Sequence, residues 1–122
     1  MATGMNEGEY FNLNYLASIC DSDWQFMKEM IETFLRDAPV IIAGMQEKAG
    51  RKEWMQVRES AHKFKTSLMF MGIQSLHVII REIEQSGLKE PDTGQIPEKI
   101  EQVNDICNKA RVELRNFLAS HP

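Results

Sequence analysis

Apolar residues recur at steps of three and four through four separate segments of the chain, and this periodicity is the strongest constraint on its fold. Such steps place side chains on one face of an α-helix. One segment carries a single stripe of Trp54, Val57, Ala61, Phe64, Leu68 and Met71. Between Phe11 and Pro122 no stretch alternates apolar and polar residues for long enough to make a convincing strand. The pattern predicts an all-α fold, an antiparallel four-helix bundle with a short extra N-terminal helix.

The first long helix has a recognisable start and an unusual interior. Ser22 followed by Gln25 is a capping-box pattern, and helical spacing then continues to about Lys48. Pro39 falls within this helix, where a proline removes one backbone donor and clashes with the preceding turn. We therefore expect a kink or a break near Asp37.

The three later helices are separated by residues that favour turns. We expect a helix over residues 52–70, a turn at Gly72 and a helix over residues 73–86. Residues 87–96 contain Gly, Pro, Asp and Thr without periodicity, which predicts a loop. Pro97 fits the first turn of the final helix, because a proline there loses no helical hydrogen bond.

Length and cysteine content indicate one domain with a short leader. A chain of 122 residues with 43% apolar residues can bury one core and is too short for two ordinary domains. Residues 1–10 are polar and predict a flexible leader, residues 11–120 form the domain, and a short lid helix is expected over residues 11–19. Cys20 and Cys107 form no C-x-x-C pair, so both are expected to be reduced thiols in the core.

Charge and hydropathy exclude several classes of partner. The net charge of −4 and the absence of clustered Lys and Arg argue against nucleic acid as a partner. No apolar run approaches the roughly 18 residues of a membrane span, and no secretory signal is visible at the N-terminus. We expect a cytoplasmic protein that does not bind membranes.

His62 is the residue most open to a chemical role. At about 100° per residue its side chain points about 130° from the centre of the apolar stripe, on the same flank as Arg58, Lys65 and Met69. Arg58 and Lys65 lie at i−4 and i+3, where helix neighbours can place positive charge beside the imidazole. An exposed, cation-flanked imidazole can act as a nucleophile for a phosphoryl group near neutral pH.

A histidine on a helix surface can also be an ordinary solvated residue or a metal ligand. An exposed histidine beside a lysine is usually an ordinary solvated residue. His77 lacks a following lysine and is expected to be a helix-face residue. No metal site is expected, because His62 and His77 are 15 residues apart and no H-E-x-x-H sequence occurs. The chain also lacks a Gly-rich phosphate loop, so it should not be an ATP-dependent kinase.

The stretch around His62 resembles the histidine phosphotransfer (HPt) domain family. The family sequence runs Ala-His, any residue, apolar, Lys, a small residue, then Gly and Leu further on. These places are held here by Ala61, His62, Phe64, Lys65, Thr66, Gly72 and Leu76. An upstream F-L-x-x-x-P segment is also matched, by Phe34, Leu35 and Pro39, and the resemblance extends from about Leu13 to Phe117.

The resemblance implies roles for particular residues and for partners. His62 would be the phosphoacceptor, Lys65 would stabilise the phosphoryl group, and Glu84 occupies a place where the family often has Gln or Glu facing the histidine. Thr66 departs from the family, which usually has Gly or another very small residue there. The partners would be response-regulator receiver domains and a hybrid sensor histidine kinase, with Mg²⁺ bound by the receiver and no cofactor in this chain.

The sequence thus favours one function and keeps a second open. In the first, His62 accepts a phosphoryl group from a receiver-domain aspartate and passes it to another receiver in a multistep phosphorelay. Arg58, Thr66, Met69, Gly72 and Glu84 would support transfer or docking, and Met55 could extend an adaptable apolar docking patch. In the second, the bundle docks a receiver domain without phosphate turnover, because Thr66 obstructs the imidazole.

Overall fold

The computed structural model describes residues 6–86 and 95–121, and the regular secondary structure within these ranges is helical. The helices are α1 (Asn14–Ile19), α2 (Trp24–Gly50), α3 (Trp54–Met71), α4 (Gln74–Ser86) and α5 (Gln95–Ser120). Both α2 and α4 pack against α3 and α5, so the four long helices surround one core, while α1 packs on α3. The predicted all-α bundle with a short N-terminal helix is confirmed.

The apolar stripes form the core. Seven buried residues of α2 follow the predicted spacing: Met27, Ile31, Phe34, Ala38, Ile42, Met45 and Ala49. Full burial of a large apolar side chain contributes about 1.5–3 kcal/mol, so the stripes stabilise helices that would be marginal in isolation. No polar or charged residue among those described is buried. Cys107 is enclosed in the core, and burial raises the pKa of its thiol to about 11.

Helix α2 differs from the prediction in two respects. Of the kink or break expected near Asp37, the break does not occur: the helix continues through Pro39, because buried Ala38 and Ile42 on either side hold both halves against the core. Its N-cap is Asp23, whose carboxylate accepts a hydrogen bond from the Phe26 N–H at 3.3 Å. Ser22 instead belongs to the turn that leaves α1, with a φ of 57°.

Part of the predicted flexible leader lies against the bundle. Residues 1–5 fall outside the described ranges, but the backbone N–H groups of Glu9 and Tyr10 donate to the Glu113 carboxylate at 3.0 and 2.7 Å. Farther along, the Asn12 N–H donates to the Met71 carbonyl at 3.1 Å. These bonds hold residues 9–12 across α5 and the end of α3.

The later boundaries agree closely with the sequence. Gly72 ends α3 in the left-handed region with a φ of 64°, and α4 starts two residues later. Helix α5 starts at Gln95, so Pro97 lies in its first turn, and the rest of the predicted loop, residues 87–94, falls outside the described ranges. Within residues 6–86 and 95–121, no helix combines the length and apolar character needed to cross a bilayer.

Candidate phosphoacceptor site

The middle of α3 presents His62 to solvent. Its neighbours Ala61 and Phe64 are buried, and they fix the rotation of the helix about its axis. The His62 side chain is consequently 67% exposed. The ring stands on a rigid helix instead of a loop, which keeps its position constant for an approaching group.

Glu84 joins this site from the neighbouring helix. His62 and Glu84 are equally distant in sequence from Ile73, so the antiparallel α3–α4 pair brings them to the same level. One carboxylate oxygen, Oε2, contacts His62 Nδ1, and the other, Oε1, lies 2.8 Å from Lys65 Nζ. The Glu84 side chain is only 15% exposed, so these contacts are partly shielded from water.

The charges at the site determine the tautomer of His62. The hydrogen bond from Lys65 lowers the pKa of Glu84, partial burial opposes this, and the contact with His62 lowers it further. The carboxylate is therefore ionised at neutral pH and can only accept hydrogen bonds. His62 Nδ1 must then carry the proton that Glu84 accepts, which leaves the lone pair of the neutral ring on Nε2.

Other predicted residues share the exposed face of α3. Thr66 is exposed one turn after His62, and Met55 and Met69, two turns before and after it, are 60% and 47% exposed. Arg58 is half-buried, and its Nη1 lies 3.9 Å from Met55 Sδ. These side chains form a strip around the imidazole with apolar ends.

The structure keeps two sequence candidates apart from the imidazole. Gly72 lies at the end of α3, about 15 Å along the helix from His62, so it shapes the turn and not the immediate approach. His77 lines a surface groove with Met69 and Val78 beside that turn. The described residues include no group of three or more His, Cys, Asp or Glu side chains placed to hold a metal ion.

One feature of the site was missed at the sequence level. Lys65 was predicted to act on the phosphoryl group, but its pairing with Glu84 was not anticipated. Counting outward from the turn at Gly72 and Ile73 would have placed Glu84 opposite His62 and within reach of Lys65. The ion pair means that the lysine and the histidine are held by one carboxylate.

Comparison with known families identifies the family of this chain. A family model described as the Hpt domain matches residues 29–118, which include most of α2 and all of α3 and α4. Searches against curated proteins and against solved structures gave no significant match. Hpt domains are phosphotransfer modules of two-component signalling and interact with receiver domains of response regulators and with kinases. The chain belongs to the Hpt domain family.

Proposed function

We propose that this protein carries a phosphoryl group on His62 between two receiver domains of a multistep phosphorelay. The observation that carries the proposal is the outward imidazole whose Nδ1 proton is held by Glu84, so that Nε2 offers a lone pair to solvent. A second protein could not reach a buried ring. A ring whose lone pair pointed toward α4 could not attack a phosphoryl group on that protein.

The proposed step conserves atoms and charge. The Nε2 lone pair attacks the phosphorus of a receiver aspartyl phosphate, forming an N–P bond as the O–P bond breaks and the aspartate leaves as a carboxylate. The ring becomes a phosphoimidazolium, whose Nδ1–H stays hydrogen bonded to the Glu84 carboxylate. Transfer to the next receiver is the reverse reaction, with a different aspartate as nucleophile.

Lys65 and Glu84 have complementary roles in this step. The Glu84 carboxylate stabilises the positive charge that develops on the ring, and the Lys65 ammonium stabilises negative charge on the phosphoryl oxygens. Both residues are held by their ion pair before the reaction, so little reorganisation is needed. The Mg²⁺ required for aspartyl phosphate chemistry belongs, in this proposal, to the receiver domain.

A docking module without phosphate turnover is the second candidate. Its support is Thr66, an exposed β-branched residue one turn from His62 where the family usually has a very small side chain. A receiver could then settle on the face around Met69 while the threonine keeps its aspartyl phosphate away from Nε2.

Incubation with a ³²P-labelled receiver domain separates the two candidates. Transfer predicts acid-labile, base-stable label on the native chain and none on His62→Gln, with His77→Gln retaining full label as the matched control. A docking module would bind the receiver and remain unlabelled. Failure of both binding and labelling would contradict both candidates.

A further inference from the structure

Arg58 lies one turn from His62, and its guanidinium makes few hydrogen bonds within the protein. Its Nε is enclosed and has no hydrogen-bond partner, and its Nη1 makes only the long contact with the Met55 thioether. A thioether is a weak acceptor, so this contact offers little compensation for lost hydration. The side chain points toward the N-terminal end of α3, away from His62.

The charges around His62 show why this conformation matters. Lys65 and Glu84 largely neutralise each other through their ion pair. A phosphoryl group on His62 adds about two negative charges next to them, and the imidazolium ring offsets only one, so the site is left with about one net negative charge. Lys65 cannot balance this increment alone, because it also remains bound to Glu84. A second cation would therefore bring the phosphorylated site close to neutral.

Arg58 is in position to supply that cation. It lies at i−4 from His62, and side chains at this spacing are neighbours with about 5–6 Å between their Cβ atoms. A guanidinium binds phosphate through two parallel N–H donors, a geometry that lysine lacks. Met55, its present contact, is itself 60% exposed, so the arginine can leave without opening the core.

We propose that Arg58 swings from Met55 to the phosphoryl group when His62 is phosphorylated, and that it then binds two of the phosphoryl oxygens. The idea rests on the proposed function, since it requires phosphate on His62. In this proposal Arg58 acts only in the phosphorylated protein. The arginine would contribute little to the stability of the unphosphorylated protein, and it would favour retention of the phosphoryl group after transfer.

Chemical phosphorylation tests this step without a receiver domain. Phosphoramidate loads exposed histidines, with ammonia leaving as the N–P bond forms, and the His62 signal is the ³¹P resonance that disappears in His62→Gln. In the native chain the Arg58 guanidinium should favour the dianionic form of the phosphoryl group and so lower its second pKa. Arg58→Met, which keeps an apolar stem but removes the charge, should therefore raise the second pKa of the phosphoryl group and shorten the lifetime of the phosphorylated protein about fivefold.

The movement of Arg58 away from Met55 can be measured separately. The ¹³C-methyl resonance of Met55, assigned from Met55→Leu, should shift on phosphorylation of the native chain and shift much less in Arg58→Met. Arg58→Lys should recover part of the pKa effect. Arg111→Ala is the matched control, because Arg111 also has an enclosed, unpartnered Nε but lies on α5.

The outcomes distinguish this inference from the proposed function. An unchanged phosphoryl pKa together with an unchanged Met55 shift in Arg58→Met overturns the role of Arg58 and leaves transfer through His62 intact. Equal effects in Arg58→Met and Arg111→Ala also overturn it, because they point to a general effect of charge. A His62 that phosphoramidate cannot load contradicts both the inference and the proposed function.

Discussion

Glu84 shows how one side chain can set the chemistry of two others. Its carboxylate contacts both His62 Nδ1 and Lys65 Nζ, so it orients the ring and restrains the lysine from the same position on α4. A glutamine could keep one hydrogen bond to the ring but would not carry the charge that stabilises an imidazolium. In the proposed transfer, Glu84 would therefore position His62 and Lys65, and these two residues would contact the phosphoryl group.

Removal of Lys65 should slow transfer without unfolding the protein. In the proposed step, Lys65→Ala removes the ammonium that would stabilise the phosphoryl oxygens, and a loss of roughly tenfold in rate corresponds to about 1.4 kcal/mol. The measurement is the initial rate of labelling by a phosphorylated receiver, with circular dichroism as a check on helicity. Lys63→Ala removes an exposed lysine beside His62 as the control. Unchanged kinetics in Lys65→Ala would remove this residue from the mechanism.

The contribution of Glu84 to stability should depend on pH. Because its pKa in the folded state is lowered from 4.5, the stabilisation is complete above that pH and is lost as the pH falls through the folded value. Glu84→Gln should lower the free energy of unfolding by about 1 kcal/mol at pH 7, and this difference should shrink in acid. Urea unfolding at several pH values measures it.

Glu82→Gln provides the comparison for that experiment. Glu82 lies on the same helix and pairs with Lys99 at 3.2 Å, but its side chain is 51% exposed. Exposed pairs contribute little, so the substitution should have a smaller effect at every pH. A difference between native chain and Glu84→Gln that stays constant from pH 7 to pH 3 would show that the Glu84 carboxylate is not held as described.

At the scale of elements, the α3–α4 pair depends on the tight turn at Gly72. The left-handed φ of Gly72 reverses the chain, and the Ile73 N–H donates to the Leu68 carbonyl at 3.1 Å to close the end of α3. The register of α4 against α3 follows from this turn. That register in turn places Glu84 opposite His62. The turn at Gly72 therefore determines where the Glu84 carboxylate lies relative to the imidazole.

Substitution of Gly72 should therefore be costly. A Cβ at this position would lie 2.0 Å from the Asn12 carbonyl oxygen, and its φ of 64° is unfavourable for alanine. We expect Gly72→Ala to lower the free energy of unfolding by about 2 kcal/mol or more in urea titrations. Gly44→Ala, in the interior of α2 with open space around the new methyl group, should instead stabilise by up to about 1 kcal/mol. Equal responses at the two glycines would contradict this account of the turn.

At the scale of the whole molecule, the N-terminal segment connects elements that are distant in the chain. Glu113 of α5 accepts hydrogen bonds from the backbone of Glu9 and Tyr10, and Phe11 packs edge-on against Phe117 with ring centroids 5.6 Å apart. Asn12 then reaches the end of α3. The segment thus covers the end of the core beside α1.

Loss of the Glu113 carboxylate should release this segment locally. Glu113→Ala leaves the N–H groups of Glu9 and Tyr10 without their charged acceptor, so their amide hydrogen exchange should accelerate by roughly tenfold. Exchange in the centre of α3 should not change. Glu101→Ala, an exposed residue on the same helix, is the control. Slow exchange at Glu9 and Tyr10 in Glu113→Ala would mean that other contacts hold the segment.

What the sequence by itself determined follows from local periodicity. The spacing of apolar residues predicted the helices, their buried faces and the outward direction of His62, because a helix converts sequence position into angle. Turn residues such as Gly72 were predictable for a similar reason, since only glycine adopts a left-handed conformation at low cost.

The tertiary structure decided what depends on contacts between elements. The sharing of Glu84 by His62 and Lys65, and hence the tautomer of the ring, follows from the register of two packed helices. The attachment of residues 9 and 10 to Glu113 joins parts of the chain about a hundred residues apart, which no local pattern encodes. The continuity of α2 through Pro39 has the same origin, because burial across the whole helix outweighs a local penalty of about 3 kcal/mol.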